Sequence, residues 1–164
     1  SLSANVQSIF SISEVMYRVN NAMLTGTRVT GLIGLFYGVL NHESGRLTYV
    51  NAGHNPPVLV RRNGDTEILD TGGLILGVGS DVSYDYGVQE IRAGDVLVLY
   101  TDGITETMDG NGVEFSMEGL VAAVRRHMDL GSSQIVRRVL EEVQNHGGSA
   151  PQADDRTLLI VKHR

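Results

Sequence analysis

The stretch that most constrains this chain is Asp95-Val96-Leu97-Val98-Leu99-Tyr100-Thr101-Asp102-Gly103, with Gly94 before it. Val96 to Tyr100 contains no polar residue, and branched and aromatic side chains fenced by glycines predict a buried β-strand. A carboxylate at the end of such a strand, followed by glycine, has no packing purpose. Asp102 would be held by a rigid element and released into a turn, the arrangement an enzyme needs for a ligand to a hard cation. The rest of the chain can be read by asking what it brings towards Asp102.

The 164 residues suffice for one domain with a single core, and residues 1–164 are read as one domain. With 41% hydrophobic and 20% charged residues the chain is globular, not disordered. A net charge of -6 argues against nucleic acid and against an anionic membrane surface as partners. The absence of cysteine excludes disulfides, zinc-thiolate sites and a thiol nucleophile. The longest apolar run, Gly31 to Leu40, is too short to span a bilayer, and no signal-peptide pattern opens the sequence. The expected compartment is the cytoplasm.

Residues 1–24 have helical spacing, through Val6, Ile9 and Phe10, then Val15, Met16, Val19 and Met23 after a break at Ser11-Ile12-Ser13, with Ser13 as N-cap. Strand patterns follow. Leu35–Leu40 and Arg46–Asn51 flank a loop ending in Gly45, and Val58–Arg62 and Thr66–Leu69 flank Asn63-Gly64-Asp65, so four strands in a meander are expected before residue 70. Gly72 to Gly79 lacks the features of a phosphate-binding loop and reads as a structural turn. Tyr84–Ile91 is a weaker strand. Two helices follow, one capped by Ser116 with Leu120, Val121, Val124 and Met128 inward, and one capped by Ser132 or Ser133 with Ile135, Val136, Val139, Leu140 and Val143 inward. A last strand, Thr157–Val161, is introduced by Asp154-Asp155. The basic pairs Arg61-Arg62, Arg125-Arg126 and Arg137-Arg138 read as solvated faces, and His42, His127, His146 and His163 show no metal spacing.

If the Asp102 strand and the last strand are antiparallel neighbours, Asp102 leaves one where Asp154 and Asp155 enter the other, at the same sheet edge. Converging carboxylates call for a cation, and oxygen ligands suit Mg²⁺ or Mn²⁺. Against this stands a plain reading in which Asp102 caps a turn and Asp154 closes a loop. Spacing alone leaves the two readings level.

A resemblance separates them. Phe36-Tyr37-Gly38-Val39-Leu40, Leu47-Thr48-Tyr49-Val50-Asn51-Ala52-Gly53-His54-Asn55-Pro56-Pro57, Leu76-Gly77-Val78, Ala93 to Glu106, and Ala153-Asp154-Asp155-Arg156-Thr157-Leu158-Leu159 run in order through nearly the whole chain. Together they resemble the SpoIIE/RsbU branch of the PPM-type (protein phosphatase 2C-like) metal-dependent serine/threonine phosphatases. The resemblance implies an α+β fold, a four-layer αββα sandwich of two antiparallel sheets flanked by helices. It puts Asp102 and Asp154 on the family's metal-binding aspartates, with Gly103, Asp155 and Glu106 near the site and His54 as a weak catalytic candidate. The implied cofactor is Mn²⁺ or Mg²⁺ in a two-metal site.

The implied activity is hydrolysis of phosphoserine or phosphothreonine, by metal-activated water without a phospho-enzyme. The implied partner is a phosphorylated anti-anti-sigma-type regulator. The rival class is a non-catalytic phosphoprotein-binding module of the same fold. Two departures stand out. The family's upstream Gly-Asp-Val-Ser-Gly motif, which carries a bridging aspartate, is not in the sequence, so the expectation is a domain lacking its N-terminal strands, an incomplete metal site, weak or no activity for residues 1–164 alone, and self-association through an exposed sheet edge. Arg156 stands where the family usually has an apolar residue.

Overall fold

The computed structural model describes residues 11–25, 31–148, 152 and 154–163; the expected helical turn through Val6, Ile9 and Phe10 lies outside them. In chain order the elements are α1 (Ile12–Thr25), β1 (Leu35–Leu40), β2 (Arg46–Ala52), β3 (Val58–Val60), β4 (Thr66–Ile68), β5 (Gly72–Gly73), β6 (Gly87–Glu90), β7 (Val96–Tyr100), α2 (Asp102–Thr105), α3 (Ser116–His127), α4 (Ser132–Gly147) and β8 (Leu158–Lys162). The architecture is α+β, with two sheets. The chain divides into two compact units, Ser1–Pro56 with Leu69–Glu90, and Pro57–Ile68 with Ile91–Arg164.

In the first unit β2 is central. It pairs antiparallel with β1 and β6, and its last residues Asn51 and Ala52 pair in parallel with β5. A Cβ on Gly72 would fall on the carbonyl of Asn51, so only glycine lets the backbones meet there. The glycine-rich segment is therefore partly strand and not a turn throughout. Its turn is held by a buried polar residue on α1: Asn20 donates to the Gly79 carbonyl and accepts from the Gly77 amide, both at 2.8 Å.

Ile12, Met16 and Asn20 form the inner face of α1, and Ile12 and Met16 join Val50, Ala52, Leu76 and Tyr84 in a core. Val19, one of the apolar residues at helical spacing, is exposed. Ser11, not Ser13, caps α1, its hydroxyl accepting the Glu14 amide at 3.1 Å.

The second unit carries the sheet β4-β3-β7-β8, antiparallel throughout. The expected meander is thus corrected. Both hairpins form, but β1 and β2 belong to one sheet and β3 and β4 to the other. Val58, Leu59, Val60, Val96, Leu97 and Val98 are all at most 3% exposed, which explains the unbroken apolar run of β7 at an interior position. Each such side chain stabilises by about 1.5–3 kcal/mol.

Leu120, Val121, Ala123 and Val124 of α3 and Ile135, Val139 and Val143 of α4 complete this core. Leu140 faces outward instead, 37% exposed. The Ser116 hydroxyl accepts the Gly119 amide at the start of α3. At α4 the cap is Gly131, whose amide donates to the Gln134 side chain, and neither Ser132 nor Ser133.

Candidate metal centre

The register of β7 and β8 pairs Tyr100 with Leu158 and Val96 with Lys162. The chain therefore leaves β7 into Asp102 at the same edge where Asp154 and Asp155 lead into β8. Beyond the last strand pair the two turns are stitched together. Thr101 donates its amide to the Thr157 carbonyl at 3.1 Å, and its hydroxyl donates to the Asp155 carbonyl at 2.8 Å while accepting the Thr157 amide at 2.9 Å.

Gly103 is buried against the second turn. A Cβ there would lie 2.5 Å from the Asp155 carbonyl oxygen and 3.1 Å from that of Asp154. Glycine is required by this close approach and not by its backbone angles, since its φ is not positive.

Each carboxylate is held by its own backbone. Asp102 Oδ1 accepts the Gly103 amide at 2.9 Å, and Asp154 Oδ1 accepts the Asp155 amide at 2.7 Å. Among the described residues, no other hydrogen bond and no cation engages either side chain. Asp102 is half-buried and Asp154 exposed. Two carboxylates with free lone pairs, on turns pressed together, suit a hard cation whose remaining positions are filled by water. Among the described residues no three acidic or histidine side chains form a cluster, so two carboxylates are all that this part supplies.

The other candidates divide. Asp155 is exposed and contributes its carbonyl to the Thr101 hydroxyl, a role for its backbone. Glu106 is exposed at the end of α2, its amide closing on the Asp102 carbonyl at 2.8 Å. His54 belongs to the first unit, Asp102 and Asp154 to the second. Its Nδ1 bonds the Asn55 carbonyl at 2.8 Å, and its amide donates to the buried Asn51 side chain at 2.9 Å, contacts that shape its own loop.

Two features escaped sequence reasoning. Arg61 is not on a solvated face. Its side chain is 14% exposed and pairs with Glu67 at 2.6 Å and with the buried Asp95 at 2.8 Å. Burial pushes the Asp95 carboxyl up, but the Arg61 guanidinium and the Arg92 and Arg62 amides outweigh it and hold Asp95 below the usual carboxylate range. Arg126 and Arg138 are exposed as expected, Arg126 pairing with the half-buried Glu142 and Arg138 with the exposed Glu141. The second feature is Arg156, which does not simply replace an apolar residue at a strand entry. It is half-buried, and its Nε donates to the Gly103 carbonyl at 3.1 Å.

Comparison with known proteins bears on this arrangement. The sequence matches the family model described as Stage II sporulation protein E (SpoIIE) over residues 1–164. It is 27% identical over 159 residues to the phosphoserine phosphatase RsbU of Bacillus subtilis (strain 168), covering 93% of this chain and 45% of RsbU. The chain thus spans less than half the length of that relative. Among solved structures, the SiaA-PP2C domain of Pseudomonas aeruginosa aligns with a TM-score of 0.77 at 15% identity, over 92% of this chain and 59% of that one. The catalytic domain of the serine threonine protein phosphatase PstP, in complex with two manganese ions, aligns with a TM-score of 0.57 at 17% identity, over 88% of this chain and 64% of that one. At these identities the structural likeness is one of fold.

Proposed function

We infer the activity from one premise: the chain belongs to the SpoIIE family. Residues 1–164 form part of a metal-dependent phosphatase domain that hydrolyses phosphoserine or phosphothreonine in a protein. The observation that carries this reading is the convergence of the Asp102-Gly103 and Asp154-Asp155 turns at one edge of the β7–β8 pair, with no cation from the described protein engaging either carboxylate.

Asp102 and Asp154 would hold Mn²⁺ or Mg²⁺, consistent with the manganese in PstP. Bound there, such an ion supplies charge neutralisation on phosphoryl oxygens and lowers the pKa of a coordinated water. The chain's own contribution is to fix the acceptors. The Gly103 amide orients Asp102, the Asp155 amide orients Asp154, and the missing side chain of Gly103 lets the two turns touch. No cysteine is present to form a covalent phosphoryl-thiol.

Similarity to the phosphoserine phosphatase RsbU favours phosphoserine as the group hydrolysed, and the phosphorylated anti-anti-sigma-type regulator that the sequence resemblance implies is the proposed carrier of it. The test is Mn²⁺-dependent hydrolysis of p-nitrophenyl phosphate and of a phosphoserine protein by the intact protein. Asp102→Asn and Asp154→Asn should each lower turnover by more than about 100-fold, beyond what changes around a ligand usually cost. Chelator-insensitive turnover, or turnover kept by both variants, would refute the reading.

A second copy of the chain is the other partner we propose. β1 pairs only with β2 among the described residues, and its sequence Leu35-Phe36-Tyr37-Gly38-Val39-Leu40 has no charge or proline to blunt the edge. Tyr37, Val39 and Leu40 are 39%, 55% and 39% exposed. Sedimentation at increasing concentration should show a rising mass; a strictly monomeric species would exclude this pairing.

A further inference from the structure

Besides the bonds that continue the β7–β8 pairing at Thr101 and Thr157, side chains reach from each turn to a carbonyl of the other, in opposite senses. From the Asp102 side, Thr101 reaches the Asp155 carbonyl. Thr101 occupies the N-cap position of α2, yet its hydroxyl makes no cap hydrogen bond and is spent on this crossing. From the Asp154 side, Arg156 reaches back to the Gly103 carbonyl.

That carbonyl is a helix-end acceptor. The four-residue α2 stops at Thr105, so the amide that would follow on to Gly103 in a longer helix is not used. The hydroxyl of Thr107, 7% exposed, takes its place at 2.9 Å, and the Arg156 Nε shares the acceptor at 3.1 Å. The same guanidinium reaches the end of α4, where its Nη2 lies 3.9 Å from a Cβ built on Gly147.

We propose that Arg156 and Thr101 are positioning residues for the Asp102–Asp154 pair: their crossed hydrogen bonds, to the Gly103 and Asp155 carbonyls, fix the two turns as one rigid unit. The bonds of Thr101 all lie on the β7–β8 side of the Gly103 contact, and the Arg156 bond ties the two turns a second time through the Gly103 carbonyl itself. Ligands held in place before a cation arrives lose less entropy when it binds, so the clamp would act on metal affinity by holding the turns that carry the two carboxylates. The inference rests on the metal reading of the pair.

The experiment measures Mn²⁺ binding to the intact protein by calorimetry, and melting with a chelator present. Arg156→Gln and Thr101→Val should each weaken Mn²⁺ binding by about 10-fold, in the range seen for groups that orient ligands. Arg156→Lys, which keeps one donor, and Thr101→Ser, which keeps the hydroxyl, should recover most of that loss. Melting in chelator should change little by comparison. If Arg156→Gln and Thr101→Val bind Mn²⁺ within twofold of the parent while melting lower, the two residues are merely structural and the proposal falls. If the parent itself takes up no Mn²⁺, the metal reading falls and takes the clamp with it.

Discussion

Gly103→Ala is the most incisive perturbation, because two opposing effects at this position have different signs. In a helix Ala is favoured over Gly by about 0.8–1.0 kcal/mol, and the φ of Gly103 is one that Ala accepts. Propensity alone therefore predicts a more stable protein. The new Cβ, however, would stand 2.5 Å from the Asp155 carbonyl oxygen, where ordinary contact begins at 3.4 Å. These are backbone atoms and cannot swing aside as a side chain would. Relief requires the Asp102 and Asp154–Asp155 turns to part by roughly 0.9 Å, and such overpacking costs about 1–3 kcal/mol. Net destabilisation is then about 0–2 kcal/mol, a fall in melting temperature of no more than about 8 °C for a chain of this size. The functional effect should be far larger, since a misplacement near 1 Å at a reacting centre costs about 100-fold in rate. Mn²⁺-dependent phosphatase turnover at saturating metal, measured beside the melting temperature, checks both. A variant that melts higher and keeps more than half of the turnover would refute the reasoning, because the two turns would then not be a unit.

Asp95→Asn should cost about 3 kcal/mol at neutral pH, the scale for breaking a buried ion pair from one side, as measured by urea unfolding. Because the folded pKa of Asp95 is depressed, its contribution is present above the unfolded value of about 3.9 and lost as pH falls below that value and through the lower folded one; the variant should therefore lose less stability than the parent as pH falls from about 5 into that range. Ser116 begins α3 with φ at 64°, a left-handed value unfavourable for any residue with a Cβ. Ser116→Gly should relieve about 1 kcal/mol of strain while giving up a few tenths from the Gly119 hydrogen bond, and so melt higher, whereas Ser116→Ala keeps the strain, loses the bond and melts lower.

What could be read from the sequence was what local chemistry decides. Asn63-Gly64-Asp65 and the loop ending in Gly45 each produce the hairpin expected of them, because a turn and its two flanking strands are specified within a few residues. The sheet to which each hairpin belongs is decided elsewhere. β2 finds its other partners in β5 and β6, and β3 finds β7, all contributed by residues well beyond the hairpins. The same limit governs side chains. Arg61 and Arg62 look alike in sequence, and only the long-range pairing of β3 with β7 puts Arg61 against Asp95. Arg156 and Thr101 were likewise invisible as a pair, their bonds spanning 53 and 54 residues.

The two aspartates that bracket β7 show what such distant contacts decide. Asp95 and Asp102 bracket the same five apolar residues, and a glycine adjoins each of them. At the entrance to β7, Asp95 is 3% exposed and satisfied on both oxygens, by Arg61, by the Arg92 amide and by the Arg62 amide. Its charge is used up in holding the strand. At the exit, Asp102 takes only the amide of the next residue, among the described residues, while Arg156 bonds the carbonyl of the neighbouring Gly103 and not the carboxylate. A buried carboxylate that pairs with arginine is spent on stability. One that takes only the amide of the next residue keeps its charge for something that arrives from solution.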